Sequence, residues 1–168
     1  ASGGGRFAGC RVTALRRRDV QGIPHGIVMD SGKTIAGIVE HGVDCLIGIP
    51  VQVLGLVRHR DSVSIPKGMI KSVLLSADYV PAAIVREITS AWGCMVFNHY
   101  GMTEMGLGAA VDCRALHGYH IREADLFFEI IDPDTGRPAP DGTPGEVVFT
   151  TLTRNGMPLV RYRTGDLS

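Results

Sequence analysis

Met95-Val96-Phe97-Asn98-His99-Tyr100-Gly101-Met102-Thr103-Glu104 is the stretch that decides the fold. Its first three residues form an apolar run that reads as a short buried strand. From Tyr100 onward an aromatic ring, a glycine, a hydroxyl and a carboxylate follow within five positions. In open α/β sheets ligands sit beyond the carboxyl ends of the strands, so a strand that runs into such a loop predicts both the architecture and the place of its chemistry. The residue types point to a nucleotide. A ring offers its face to a base, glycine lets backbone approach closely, a hydroxyl bonds a phosphate, and a carboxylate holds magnesium. Near the end of the chain, Arg161-Tyr162-Arg163-Thr164-Gly165-Asp166 adds a second glycine–carboxylate pair, suited to ribose hydroxyls.

The residues before this stretch alternate between strand and helix periods. Gly26-Ile27-Val28-Met29 predicts a strand, and Ser31 is placed to cap a helix through Ile35, Ile38 and Val39. Cys45-Leu46-Ile47-Gly48-Ile49 has the unbroken apolar character of a strand buried on both faces. Pro50 opens a second helix carrying Val53, Leu54 and Val57, with Arg58-His59-Arg60 at its favourable carboxyl end. Val73-Leu74-Leu75 predicts a third strand leading into Ser76-Ala77-Asp78. Pro81 begins a helix whose stripe is Ile84, Val85, Ile88 and Trp92, and Gly93 stops it. After the central loop the character turns β-rich. Leu126–Ile131 and Glu146–Thr151 predict strands, separated by the turn Asp132-Pro133-Asp134-Thr135-Gly136 and a second turn at Asp141–Gly145. Glu146 is expected to be an exposed strand residue. The predicted class is therefore α/β: a largely parallel sheet with flanking helices over about 24–106, then an antiparallel, β-rich part over about 107–168.

At 168 residues, 45% hydrophobic and 20% charged, the composition is that of a globular domain. Lys plus Arg and Asp plus Glu are 17 each. A net charge of zero removes the electrostatic case for nucleic acid or an acidic membrane as the main partner. Arg16-Arg17-Arg18, followed by Asp19, reads as a solvated patch. Cys10, Cys45, Cys94 and Cys113 lie far apart, a pattern of reduced thiols that predicts a soluble protein of the cytoplasm. Lys33 after Ser31-Gly32 lacks the glycine spacing of a phosphate loop.

The ordered series of motifs resembles the adenylate-forming, AMP-binding superfamily, and within it the phenylacetate–CoA ligase branch. Ser76-Ala77-Asp78 stands where that family has a small–small–acidic adenine loop. Tyr100-Gly101-Met102-Thr103-Glu104 is similar to its Tyr-Gly-x-Thr-Glu. Gly118-Tyr119-His120-Ile121-Arg122-Glu123, Glu129–Gly136, Gly145–Thr153 and Met157–Leu167 continue the series. The likeness is dense from about Asp44 to Ser168 and looser before it. Gly165 departs from the branch, which usually carries arginine there, and matches the wider superfamily.

The resemblance implies residue roles. Tyr100 would lie against adenine, with Ser76, Ala77, Asp78, Asn98 and His99 framing the base and Gly101 and Met102 completing the loop. Thr103 would bond the α-phosphate and Glu104 would hold Mg²⁺, which makes these two the candidate catalytic residues. Asp166 would bind the ribose hydroxyls. The implied reaction joins a carboxylic acid, an aryl acid such as phenylacetate, to CoA through an acyl-adenylate formed from ATP. Rival readings are an adenylating enzyme with another acceptor, akin to coenzyme F390 synthetase or acyl-protein synthetase, and a non-catalytic nucleotide- or metal-binding module. A homodimer is compatible with any of them. The family's phosphate loop and C-terminal lid domain have no counterpart here, since Ser2-Gly3-Gly4-Gly5-Arg6 lacks the spacing and the lysine. The expectation is thus a fragment of the large domain, inactive alone. Cys113 and His120, with His117 between them, fit half of a structural zinc site that branch members complete downstream.

Overall fold

The computed structural model describes residues 20–106 and 108–168. Ser2–Arg6, Cys10 and Arg16–Arg18 lie outside the described residues. Three helices and eight strands are described: α1 (Ser31–Glu40), β1 (Cys45–Gly48), α2 (Pro50–Arg58), β2 (Ser72–Leu75), α3 (Ala82–Trp92), β3 (Met95–Tyr100), β4 (Ala110–Asp112), β5 (Tyr119–Ile121), β6 (Leu126–Ile131), β7 (Glu146–Thr151) and β8 (Tyr162–Leu167). No helix among the described residues is long and apolar enough to cross a membrane.

The strands form two sheets, β1-β2-β3-β4-β5 and β6-β7-β8. In the first, β1, β2 and β3 run parallel, joined by α2 and α3, with Gly48 beside Leu75 and Leu75 beside Asn98. β4 and β5 then add antiparallel to β3. The second sheet is wholly antiparallel. The predicted order of a parallel part followed by an antiparallel part holds. The antiparallel part itself divides, because β4 and β5 extend the first sheet and only β6–β8 stand apart.

Helix periodicity fixes the first core. Thr34, Ile35 and Ile38 of α1, Pro50, Val53 and Leu56 of α2, and Ile84, Ile88 and Trp92 of α3 are buried. Ile35, Ile38, Val53, Leu56, Ile84, Ile88 and Trp92 pack with Val73 and Leu75 of β2 and Val96 of β3. Pro50 sits in the first turn of α2, where its missing N–H costs no hydrogen bond. Gly93 ends α3 in the left-handed region at φ +69°, and its N–H reaches the Thr89 carbonyl at 2.8 Å. A second cluster, Met105, Ala109, Leu126 and Phe149 with Tyr100, Met102, Phe128, Leu159 and Tyr162 against it, cements the two sheets directly beneath the central loop.

Four expectations are corrected. Gly26–Met29 forms no strand, and Ile27 and Met29 are exposed, at 65% and 90%. Asp30, not Ser31, caps α1, its Oδ1 accepting the Lys33 N–H at 3.0 Å. β1 is not covered on both faces: it lies at the edge of the described sheet, with Cys45 and Ile47 exposed. Glu146 is buried at 6% exposure, because Arg163 and the Gly165 amide converge on its carboxylate.

Candidate active site

The parallel register brings the two motif loops to one end of the first sheet. Ser76 follows the last residue of β2 just where His99 continues β3, and the Ser76 hydroxyl lies 2.8 Å from His99 Nδ1. The Ser76 N–H donates to the Gly48 carbonyl at 3.1 Å, tying the same loop to β1. Ala77 sits at φ +76°, a left-handed conformation that a non-glycine residue adopts at a cost of about 1 kcal/mol. Asp78 is exposed and its Oδ1 accepts the Tyr79 N–H at 2.8 Å.

Strand alternation divides the residues expected to frame a base. Asn98 and Tyr100 share one face of β3, and His99 projects from the other with Ser76. Asn98 meets the β4–β5 ribbon, its N–H donating to Asp112 Oδ2 at 2.8 Å and its Nδ2 donating to the Tyr119 hydroxyl. The Tyr119 ring stands 6.3 Å from that of Tyr100, tilted by 41°. Tyr119 and Asp112 were not singled out by composition or spacing, because only the pairing of β3, β4 and β5 brings them to Asn98.

Tyr100 reaches across to the second sheet. Its hydroxyl donates to Asp166 Oδ2 at 2.8 Å. Burial, and then the bond to the Asp166 carboxylate, push the phenol up to about 12. This clasp unites two motifs 66 residues apart.

The loop between the clasp and Glu104 is built by close approach. A Cβ on Gly101 would lie 2.8 Å from Gly108 Cα, and one on Gly108 would lie 2.0 Å from His99 Nε2. Glycine at 101 therefore admits the returning loop, whereas the sequence pattern suggested room for a ligand. Thr103–Met105 forms one 3₁₀ turn with Thr103 exposed, Glu104 half-buried and Met105 fully buried in the seam. Met102, preceding the turn, packs into the same seam. Two arginines hold the turn from behind. Arg154 Nη1 donates to the Glu104 carbonyl at 2.7 Å and Arg122 Nη2 to the Met105 carbonyl at 3.1 Å. Thr103 and Glu104 thus present a hydroxyl and a carboxylate on a fixed backbone beside the clasp.

Residues 15–153 match the family described as AMP-binding enzyme. The chain belongs to the AMP-binding enzyme family. This AMP-binding chain is 42% identical over 97 residues to the phenylacetate-coenzyme A ligase of Thermus thermophilus, covering 56% of the chain and 22% of that ligase. It is 54% identical over 71 residues to the phenylacetate-coenzyme A ligase of Aromatoleum evansii, covering 41% and 16% respectively. The chain therefore spans about a fifth of the length of these relatives. The same fold occurs in the crystal structure of an open conformation of 2-hydroxyisobutyryl-CoA ligase in complex with 2-HIB-AMP and CoA. There the TM-score is 0.82 at 21% identity over 93% of this chain and 36% of that one. A benzoate CoA ligase from Burkholderia xenovorans LB400 gives 0.63 at 19% identity, over 78% and 27%.

The AMP-binding chain carries no complete metal cage among its described residues: no group of three or more His, Cys, Asp or Glu side chains is placed to hold an ion. Cys113 follows β4, its Sγ accepting the Ala115 N–H at 3.4 Å, and His120 lies on β5 opposite Val111. These two residues do not by themselves fit a zinc ion, which takes four ligands in structural sites. A single carboxylate such as Glu104 does suit magnesium, which usually binds through one or two carboxylates together with substrate phosphates.

Proposed function

We propose that this chain supplies the AMP face of an ATP-dependent acid–CoA ligase, with an aryl acid such as phenylacetate as the acid. The observation that carries this reading is the Tyr100–Asp166 clasp. It joins an aromatic face to a carboxylate, from two sheets, beside a fixed turn that presents Thr103 and Glu104. In this reading the Tyr100 ring lies against adenine, flanked by Ser76–Asp78 and by Asn98 and His99, and Asp166 accepts both ribose hydroxyls. The Thr103 hydroxyl donates to an α-phosphate oxygen. Glu104 would hold Mg²⁺, which supplies neutralisation of phosphate charge. The acid's carboxylate then attacks the α-phosphorus in line and pyrophosphate leaves. The residues contribute positioning and electrostatics rather than covalent chemistry. The relatives named phenylacetate-coenzyme A ligase support the choice of acid and of CoA as acceptor.

We also place the protein in the cytoplasm, on the free thiols of Cys45, Cys94 and Cys113. Zinc is proposed for the longer protein alone, with Cys113 and His120 as two of its ligands. Metal analysis finding no zinc there would remove it.

ATP–pyrophosphate exchange by the full-length protein, across a panel of aryl and aliphatic acids, tests the main reading. Exchange dependent on an aryl acid, with thioester appearing on addition of CoA, is expected. Asp166→Asn should raise the ATP KM more than it lowers kcat. AMP binding without exchange for any acid would replace the ligase with a non-catalytic nucleotide module.

A further inference from the structure

Glu146 carries a buried carboxylate that the reaction above does not use. It opens β7, and its Oε2 accepts from Arg163 Nε at 2.8 Å and from Arg163 Nη2. Its Oε1 accepts the Gly165 N–H at 3.1 Å. The pairing of β7 with β8 shows why that amide turns to a side chain. Glu146 stands opposite Leu167 and Val148 opposite Arg163, so Val147 alone faces residues 164–166. The excess forms a bulge, with Gly165 at φ +78°. Within it the Thr164 hydroxyl donates to the Val147 carbonyl at 2.8 Å and accepts the Asp166 N–H at 3.0 Å. Arg163 Nη2 also donates to the Pro133 carbonyl at 3.1 Å, anchoring the network to the turn after β6.

Side chains, not ladder bonds, therefore receive the amides that lead into Asp166. A residue that only filled space at position 146 would be apolar, since a buried carboxylate loses hydration and needs several donors to offset it. Here the donors it gathers all belong to the two residues flanking Thr164.

We propose that Glu146 is a positioning residue: by holding the Arg163 guanidinium and the Gly165 amide it sets the bulge that aims Asp166 at Tyr100 and at the ribose of the nucleotide. The ribose half of this statement rests on the function proposed above. Glu146 makes no ligand contact in it and acts through Asp166. An ion pair that merely stabilised the sheet would lower the melting temperature and leave ribose selectivity intact.

The test compares AMP with 2′,3′-dideoxy-AMP by calorimetry on the full-length protein and its E146Q, E146D and R163M variants. E146Q should weaken AMP binding about tenfold, the loss of a charge-assisted contact, while binding of the dideoxy compound is unchanged. R163M, which breaks the same network from its exposed side, should do likewise, and E146D should recover part of the selectivity. A selectivity ratio unchanged in E146Q and R163M overturns the proposal. Melting curves decide it without any ligand. Tyr100→Phe should lower the wild-type melting temperature and leave that of E146Q or R163M unmoved, because the clasp is already lost. Equal shifts in all three backgrounds overturn the positioning role. If wild type binds no AMP, the ribose reading of Asp166 fails, and the melting cycle alone decides whether Glu146 sets the clasp.

Discussion

The two sheets bring their polar residues to the same loop by different physical means. In the first, Ser76, Asn98, His99 and Tyr100 sit at or just past the ends of β2 and β3. Their places follow from strand register and from an apolar core that includes Trp92, Ile88 and Val73. In the second, Asp166 lies on an irregular stretch of β8 whose amides go to Glu146 and Thr164. One half of the site is placed by packing and the other by a polar network. Packing fails when volume changes, and a polar network fails when charge, protonation or hydrogen bonding changes. Each half should thus have its own characteristic sensitivity.

The largest effect should come from the core of the first sheet. Trp92 is 1% exposed, with its indole N–H donating to Ser62 Oγ at 3.2 Å. Trp92→Ala should cost about 3–5 kcal/mol in urea unfolding, with hydrogen-exchange protection lost first in β1–β3. A cost below about 1 kcal/mol would mean that packing does not place this half. Gly108→Ala comes next. Position 108 has φ +101° and its Cβ would overlap His99 Nε2. About 2–4 kcal/mol is expected, from backbone strain and overpacking together. Loss of the Ser76–His99 bond should show in the His99 ring resonances, and an unperturbed ring would break the prediction.

The contrast between the halves also explains which features the sequence revealed. The helices were legible because their burial repeats at a fixed period, as with Ile84, Ile88 and Trp92 at i, i+4 and i+8, and β6 and β7 were legible as β-rich apolar runs bounded by turns. Tyr100–Glu104 and Asp166 were legible as residue types. Their meeting was not, since it depends on two sheets packing across Met105 and Phe149. β1 was misread because an apolar run has the same appearance whether or not both faces are covered. Glu146 was misread for a related reason. A charged residue opening a strand normally faces water, and what overrides that here is Arg163, 17 residues away on a bulged strand. Arg122 and Arg154 were missed because arginines that hold backbone carbonyls leave no spacing pattern.

Those arginines link the halves, one from each sheet's flanking loop. Arg154→Ala removes the 2.7 Å bond to the Glu104 carbonyl, and should cost about 1.5–3 kcal/mol, typical of hydrogen bonds to charged groups. Arg154→Lys should restore part of it. Stability measured by chemical denaturation checks both, and full recovery in Arg154→Lys would place the effect in the stem and the charge, not in the guanidinium bond. Gly165→Ala is smaller. Nothing lies within 4 Å of an added Cβ, so only the positive φ resists it, at about 1 kcal/mol. A larger loss would show that the bulge is more constrained than its hydrogen bonds imply.

A pH dependence also separates the halves. At the acid end, Arg163, and then the Gly165 amide, outweigh burial and hold the Glu146 carboxyl below its ordinary 4.5. Its stabilisation is present above that value and lost as pH falls through the lower, folded one. Asp30, Glu87 and Asp132 are lowered too and share this limb, so E146Q should flatten only part of it. At the alkaline end, Tyr100 stays protonated in the folded protein to about 12, against 10.0 unfolded. The unfolded chain therefore releases this proton first, and stability should fall from pH 10 to about 12 and then level off. Tyr119, raised by burial and then by the Asp112 charge, adds to the same limb. Tyr100→Phe should flatten most of the alkaline fall without touching the acid limb, and Asp166→Asn should flatten a smaller share of it, since burial of the phenol precedes the Asp166 bond among the causes. An alkaline limb insensitive to Tyr100→Phe would mean that the phenol and Asp166 are not joined across the two sheets in solution.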